Sequence, residues 1–344
     1  MSQNYSSSRG ASLVEVVTSV ILSLVVVMAA ATLFRPAMDL SFLLTQQAGA
    51  QQGARLAVNV LTSDLALAGN GLSGGGIQLP DGAGSVDAKF ACDAGGCYVT
   101  SNLFTNSRLY SVTPGNGKGP TVNTVATDSI TIAYRDSTSN FDQLPLTSVN
   151  ANGDEIYFDA ATSPAWDDAS SGVKVGDVLV LCNTNGCAAG EVNRIHTDHV
   201  HMLKDEVGYL DNLEFNQPAA AFGNVKSIMT PAAATRAYRI SVITYYIDNS
   251  NPDVPRLMKQ VNAHTPGVAS LYVENLQFSY DIFDENAATT TNNLPDAGGN
   301  PNQIRKINLS IGARSPSKTP EGGFEHVVLT TSISTRNLRF RDAY

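Results

Sequence analysis

From Ala11 to Phe34 the chain is apolar at nearly every position, and Glu15 is the only charge between Arg9 and Arg35. This stretch is about 24 residues, or about 36 Å as helix, enough to cross a bilayer core of about 30 Å. Helical periodicity continues beyond Arg35. Ala54, Val58, Leu61, Leu65 and Ala68 recur at 4-3-4-3 spacing, with Gln51, Gln52, Arg55, Asn59 and Ser63 as polar neighbours. That pattern predicts an amphipathic helix lying on a domain, stopped by Gly69-Asn70-Gly71. The two halves form a spine of about 58 residues, near 87 Å if unbroken. Pro36, Gly49 and Gly53 mark where it is expected to bend or loosen.

After Leu72 the period changes from 3.6 to 2. Strands are expected at Ser129–Arg135, Glu155–Phe158, Asp177–Cys182, Glu191–His196, Tyr238–Ile247, Arg256–Val261, Glu274–Phe283, Ile304–Ala313 and His326–Thr335. Their alternation and their Gly, Pro and Asn boundaries indicate antiparallel sheets. Long loops rich in small residues are expected at 73–84, 114–120 and 286–302. The fold class is therefore α+β. A polar stretch at 1–10, an apolar helix able to span a membrane at 11–35, an amphipathic half at 36–69 and a β-rich globular domain at 70–344 are expected, with 136–236 as a candidate inserted β-subdomain.

Composition narrows the class. The 344 residues are 43% hydrophobic, enough for a large core, but only 15% charged, a balance that suits an exported β-rich protein more than a cytosolic enzyme. The net charge of −9 becomes −10 if residues 1–10 are removed, because they hold Arg9 and no acid. No basic patch is present to meet nucleic acid, so no nucleic-acid partner is expected. The four cysteines fall in two tight pairs, Cys92 with Cys97 and Cys182 with Cys187, each bracketing Gly, Asn or Asp. Of the three pairings four cysteines allow, the local one is the economical choice, and it implies an oxidising compartment such as the periplasm.

A carboxylate in an apolar helix costs about 2.5 to 3.5 kcal/mol on insertion scales, so Glu15 calls for a partner. A short leader ending Arg9-Gly10, then Ala11-Ser12-Leu13-Val14-Glu15 at the head of an apolar helix, resembles the type III signal of type IV pilins and pseudopilins. Ala11 stands where that family most often has Phe or Met, and Pro36 lies later than its usual proline. Ala54-Arg55-Leu56-Ala57, Leu61, Asp64-Leu65 and Ala68-Gly69 are similar to the helix end of PilW-type minor pilins and of J-type pseudopilins of type II secretion. Val273 to Tyr280, Ile307 to Arg314 and Ser334 to Arg339 are similar to that group's closing strands.

The resemblance implies a pilin-like fold, with 1–10 as the signal leader, 11–35 as the transmembrane and filament-core helix, and the helical spine packed on the β-rich domain. It implies cleavage between Gly10 and Ala11 by a prepilin peptidase and N-methylation of Ala11. Glu15 would then pair with the Ala11 amine of a neighbouring subunit. It further implies a non-enzymatic assembly subunit that primes a type IV pilus and sits at or near its tip. The partners implied are other major and minor pilins through the helix, the inner membrane before assembly, and a tip adhesin. The location implied is the inner membrane with a periplasmic domain, then the pilus. Two alternatives are a J-type pseudopilin capping a type II secretion filament and a membrane-tethered adhesin. At the N-terminus, the competing readings are a secretory signal cut near Ala29-Ala30-Ala31 and an uncleaved anchor with Glu15 snorkelling.

Other candidate chemistry is sparse. His196, His199 and His201, after Cys182 and Cys187, have the residue types of a zinc site. Disulfide cysteines beside a strand edge carrying exposed imidazoles is the reading preferred, so no metal and no cofactor is expected. Asp248, Ser250 and Asp253, or Asp284, Asn286, Asp296 and Asn300, could supply oxygens to Ca²⁺, but neither set fits an EF-hand loop. Gly115-Asn116-Gly117-Lys118-Gly119 lacks the upstream Gly and following Ser or Thr of a phosphate-binding loop. No catalytic residue set is recognisable.

Overall fold

The computed structural model describes residues 12–72, 75–93, 96–100, 107–136, 146–159, 165–204, 212–229, 235–284, 287–296, 301–335 and 337, with backbone alone over 91–93 and 96–100. Helix α1 (Leu13–Leu65) runs 53 residues, about 80 Å at helical rise. It passes through Pro36, Gly49 and Gly53 as one helix. The two glycines are instead places of close approach. A Cβ on Gly53 would come within 3.3 Å of the Leu271 carbonyl oxygen, and one on Gly49 would touch the Pro316 ring at 3.7 Å.

The buried stripe of α1 is Ala50, Ala54, Ala57, Leu61, Asp64 and Leu65. Val58, expected on that stripe, is only partly buried, and Ala57 takes its place. The helix axis here is turned so that a small residue faces the sheet.

The β-rich part is built around Arg236–Asp248, a strand of 13 residues long enough to serve three neighbours. It pairs with Val178–Asn183 through 236–240, with Ser129–Arg135 through 240–245 and with Arg256–Val261 through 243–248. The resulting nine-stranded sheet adds Gly267–Leu271 beyond Arg256–Val261, and Gly186–Glu191, Ile77–Gln78 and Arg108–Leu109 beyond Val178–Asn183. Val112–Gly115 completes it against Ser129–Arg135. Every ladder in it is antiparallel except Ile77–Gln78 against Gly186–Glu191.

A second, closing sheet has the order Thr289–Leu294, Val273–Asp284, Ile304–Arg314, His326–Ser334. Its inward residues alternate as expected for a half-buried sheet: Leu276, Phe278, Tyr280 and Ile282 on one strand, Ile307, Leu309 and Ile311 on the next. They meet Ala57, Leu61 and Leu65 of α1 and Ile130, Ile132, Tyr245 and Leu257 of the large sheet in one core. The helix is thus gripped between the sheets.

A third, small sheet, Arg194–Ile195, His199–His201, Glu155–Phe158 and Leu146–Val149, covers a different core of Trp166, Leu179, Leu181, Val200 and Met202, to which no helix α1 residue belongs.

Three expectations need correction. The loop expected at 73–84 holds the short strand Ile77–Gln78, whose two residues leave too little alternation to read. Glu191–His196 is not one strand: Gly186–Glu191 ends a hairpin in the large sheet, and Arg194–Ile195 opens the small one. Asn193 makes the break, its side-chain oxygen accepting from the Leu203 N–H at 3.1 Å and its amide reaching the Leu203 carbonyl. The expected loop 286–302 contains the edge strand Thr289–Leu294, exposed at five of its six positions and held by its ladder rather than by burial.

Candidate functional site

Helix α1 divides sharply by what surrounds it. From Leu13 to Gly49 no residue is buried, and Val16, Ile21, Leu24 and Val27 stand open although all are apolar. A helix apolar on every side has no face to offer one domain, whereas the stripe from Ala50 onward has one. The apolar segment ahead of Arg35 is long and apolar enough to cross a membrane, and no described residue of it is buried.

Its polar atoms fit that setting. Within the apolar segment the hydroxyls of Thr18, Ser19, Ser23 and Thr32 each donate to a backbone carbonyl three or four residues earlier, at 2.8 to 2.9 Å. A hydroxyl satisfied by its own helix carries no polar cost into hydrocarbon.

Glu15 occupies the first turn, and its Oε2 accepts the Ser12 backbone N–H at 3.1 Å. That contact satisfies one of the unpaired amides at the helix start, where the macrodipole also favours negative charge. Oε1 has no partner among the described residues. Gly10 and Ala11 lie outside the described residues.

At the other end a buried carboxylate holds α1 in place. Asp64, one of the stripe residues, accepts a hydrogen bond from the Tyr245 hydroxyl and forms an ion pair with Lys259. Burial, and next the hydrogen bond to Asp64, push the Tyr245 phenol far above its ordinary range, so it donates at any physiological pH. Where α1 leaves the domain, the Ser270 hydroxyl donates to the Gly53 carbonyl at 3.0 Å and Gln46 accepts the Ser317 N–H at 3.1 Å.

The other candidate residues separate clearly. Cys182 and Cys187 are joined by a disulfide, facing each other at the tip of the Val178–Asn183/Gly186–Glu191 hairpin. That bond removes both thiols from any metal set. Cys92 and Cys97 face each other in backbone register between Lys89–Asp93 and Gly96–Thr100, but their side chains lie outside the described residues.

The Asp248 carboxylate is taken by the Arg256 guanidinium and the Ser250 N–H, and the Asp253 N–H goes to Asn251 Oδ1, so that segment is a closed turn. Asp284 accepts the Ala287 N–H at 3.2 Å, while Asn286 and Asn300 lie outside the described residues. Gly117 sits at φ 62° and donates its N–H to Asp128 at 2.7 Å, which makes 115–119 a turn pinned to the protein rather than an open cradle.

The imidazoles depart from expectation. His196, His199 and His201 are each half-buried, with ring nitrogens within 4.8 Å of one another, rather than scattered along an exposed edge. Burial, reinforced by the neighbouring imidazoles, lowers the His201 pKa below the ordinary histidine value. Sequence reading named these residues. It missed their convergence because a strand expected to run through His196 hides the hairpin that turns at Thr197 and Asp198 and pairs Arg194–Ile195 with His199–His201. No protein-family model matches this chain, and no curated protein or solved structure matches it.

Proposed function

We propose that this chain is a pilin-like assembly subunit, a PilW-type minor pilin that is inserted in the inner membrane and then packs its helix into a type IV pilus. The observation that carries the reading is α1 itself: one helix whose domain half buries a single stripe and whose leading segment, ahead of Arg35, is apolar all round, unburied and headed by a single carboxylate. Such a helix suits two successive apolar environments, lipid and a bundle of like helices. Glu15 needs a cationic partner in either, because an unpaired carboxylate in a low-dielectric setting is costly. An adjacent subunit's freed Ala11 amine supplies one and fixes the axial register.

Three measurements test this. Sequencing the mature N-terminus is expected to return Ala11; a start near Thr32 or at Met1 overturns the reading. Glu15→Ala is expected to abolish surface pili at unchanged membrane abundance, and normal piliation in that variant would sink the assembly role. Loss of the gene is expected to remove pili and leave protein secretion intact; the opposite pattern indicates a type II secretion filament.

A further inference from the structure

We infer that His196, His199 and His201 form a binding site for a divalent transition-metal ion, zinc being the ion that three imidazoles on this small sheet fit. His199 and His201 lie two residues apart on the His199–His201 strand and so share a face, and His196 enters from the turn that precedes it. The His199 and His201 Nε2 atoms point at each other across 2.8 Å. Only one proton fits between them, whereas a cation at about 2.0 to 2.1 Å from each nitrogen would use both lone pairs with a small opening of the pair.

Three further features support a metal. The His199 Nδ1 is held by the Asp198 carboxylate at 2.7 Å, the second-layer contact that orients a ligating imidazole and raises its basicity. His196 Nε2 is buried without a hydrogen-bond partner, an unusual state for a polar atom and one that metal coordination would resolve. Tyr157 stacks on His199 at 4.7 Å and fixes its ring plane.

The local charge is favourable on balance. Beside His201, Glu155 occupies the paired position on one neighbouring strand and Arg194 that on the other, and Asp198 adds a second carboxylate. His196 and His199 are stacked with their planes 1° apart, so His196 must tilt for both rings to point at one ion. Three nitrogens and a water complete a four-coordinate site; oxygen-seeking Ca²⁺ and Mg²⁺ are excluded by the donor set.

The site stands apart from the helix and does not depend on the pilin reading. The test uses the full-length, untagged chain in detergent micelles, stripped with chelator and titrated with Co²⁺ and then Zn²⁺. Saturable uptake of one Co²⁺ is expected, with the intense visible absorption of low-coordinate cobalt, displaced by Zn²⁺ and indifferent to Ca²⁺. His196→Gln, at the turn and outside the strand ladder, is expected to abolish the absorption while leaving the circular dichroism spectrum unchanged. Asp198→Asn is expected to weaken binding about 10- to 100-fold, as loss of an orienting carboxylate does. A folded parent chain that gives no cobalt absorption, or a His196→Gln chain that binds as tightly as the parent, overturns the site.

Discussion

Asp281 ties together the closing sheet with one carboxylate. Its Oδ1 accepts from the Asn293 N–H and the Asn308 amide, both at 3.0 Å, and its Oδ2 pairs with Lys306 at 3.1 Å. Burial opposes the ionised form, yet the bonds from Asn293, Lys306 and Asn308 outweigh it and lower the pKa. A folded pKa below the unfolded value means the group stabilises the fold above about pH 4 and loses that contribution as pH falls through the folded value. Thermal melting is therefore expected to weaken below about pH 4, and Asp281→Asn to flatten that decline; an unchanged acid profile would place the sensitive carboxylate elsewhere. Asp64 matters differently. Removing it as Asp64→Ala leaves Lys259 and Tyr245 without their shared partner, at a cost of about 2 to 4 kcal/mol in denaturant unfolding. Asp64 is readable in the sequence as a helix residue, but Tyr245 lies 181 positions away and no local pattern announces the pair.

At the scale of elements, strands carrying strong alternation were legible to within a residue or two: Ser129–Arg135, Glu155–Phe158 and Arg256–Val261 coincide with expectation. Thr289–Leu294 was not, because a strand that buries almost nothing leaves no period-2 signature. The hairpin Val178–Asn183/Gly186–Glu191 shows the opposite case. Its turn residues, Thr184 and Asn185, and its flanking cysteines announce a local closure that the structure contains. Replacing both Cys182 and Cys187 with Ser is expected to cost about 2 kcal/mol in denaturant midpoint terms, the chain entropy of so small a ring. A much larger loss would mean that the bond also supports the cluster of Ile77, Leu79, Val180 and Phe215 against which both cysteines pack.

For the whole molecule, the division of α1 predicts where the chain tolerates truncation. A chain beginning at residue 36 retains every buried residue of the helix and is expected to melt cooperatively and to run as a dispersed species without detergent. One beginning at Gly71 lacks Ala54, Ala57, Leu61, Asp64 and Leu65. Leu61 and Leu65 are fully buried, and emptying two such sites costs about 2 to 5 kcal/mol each, against a typical total of about 5 to 15 kcal/mol. That chain is expected to show no cooperative transition by circular dichroism. By itself the sequence determined the long helix, the apolar half able to span a membrane, the single carboxylate at its head and the alternating strands. Each of these is written in spacings of a few residues, which helical and strand geometry convert directly into faces. Only the tertiary structure decided which face of α1 is buried, what Asp64 binds and how the strands divide among the sheets, because each depends on residues that meet only after distant segments have packed; the three histidines converge across a local hairpin whose turn the strand pattern conceals.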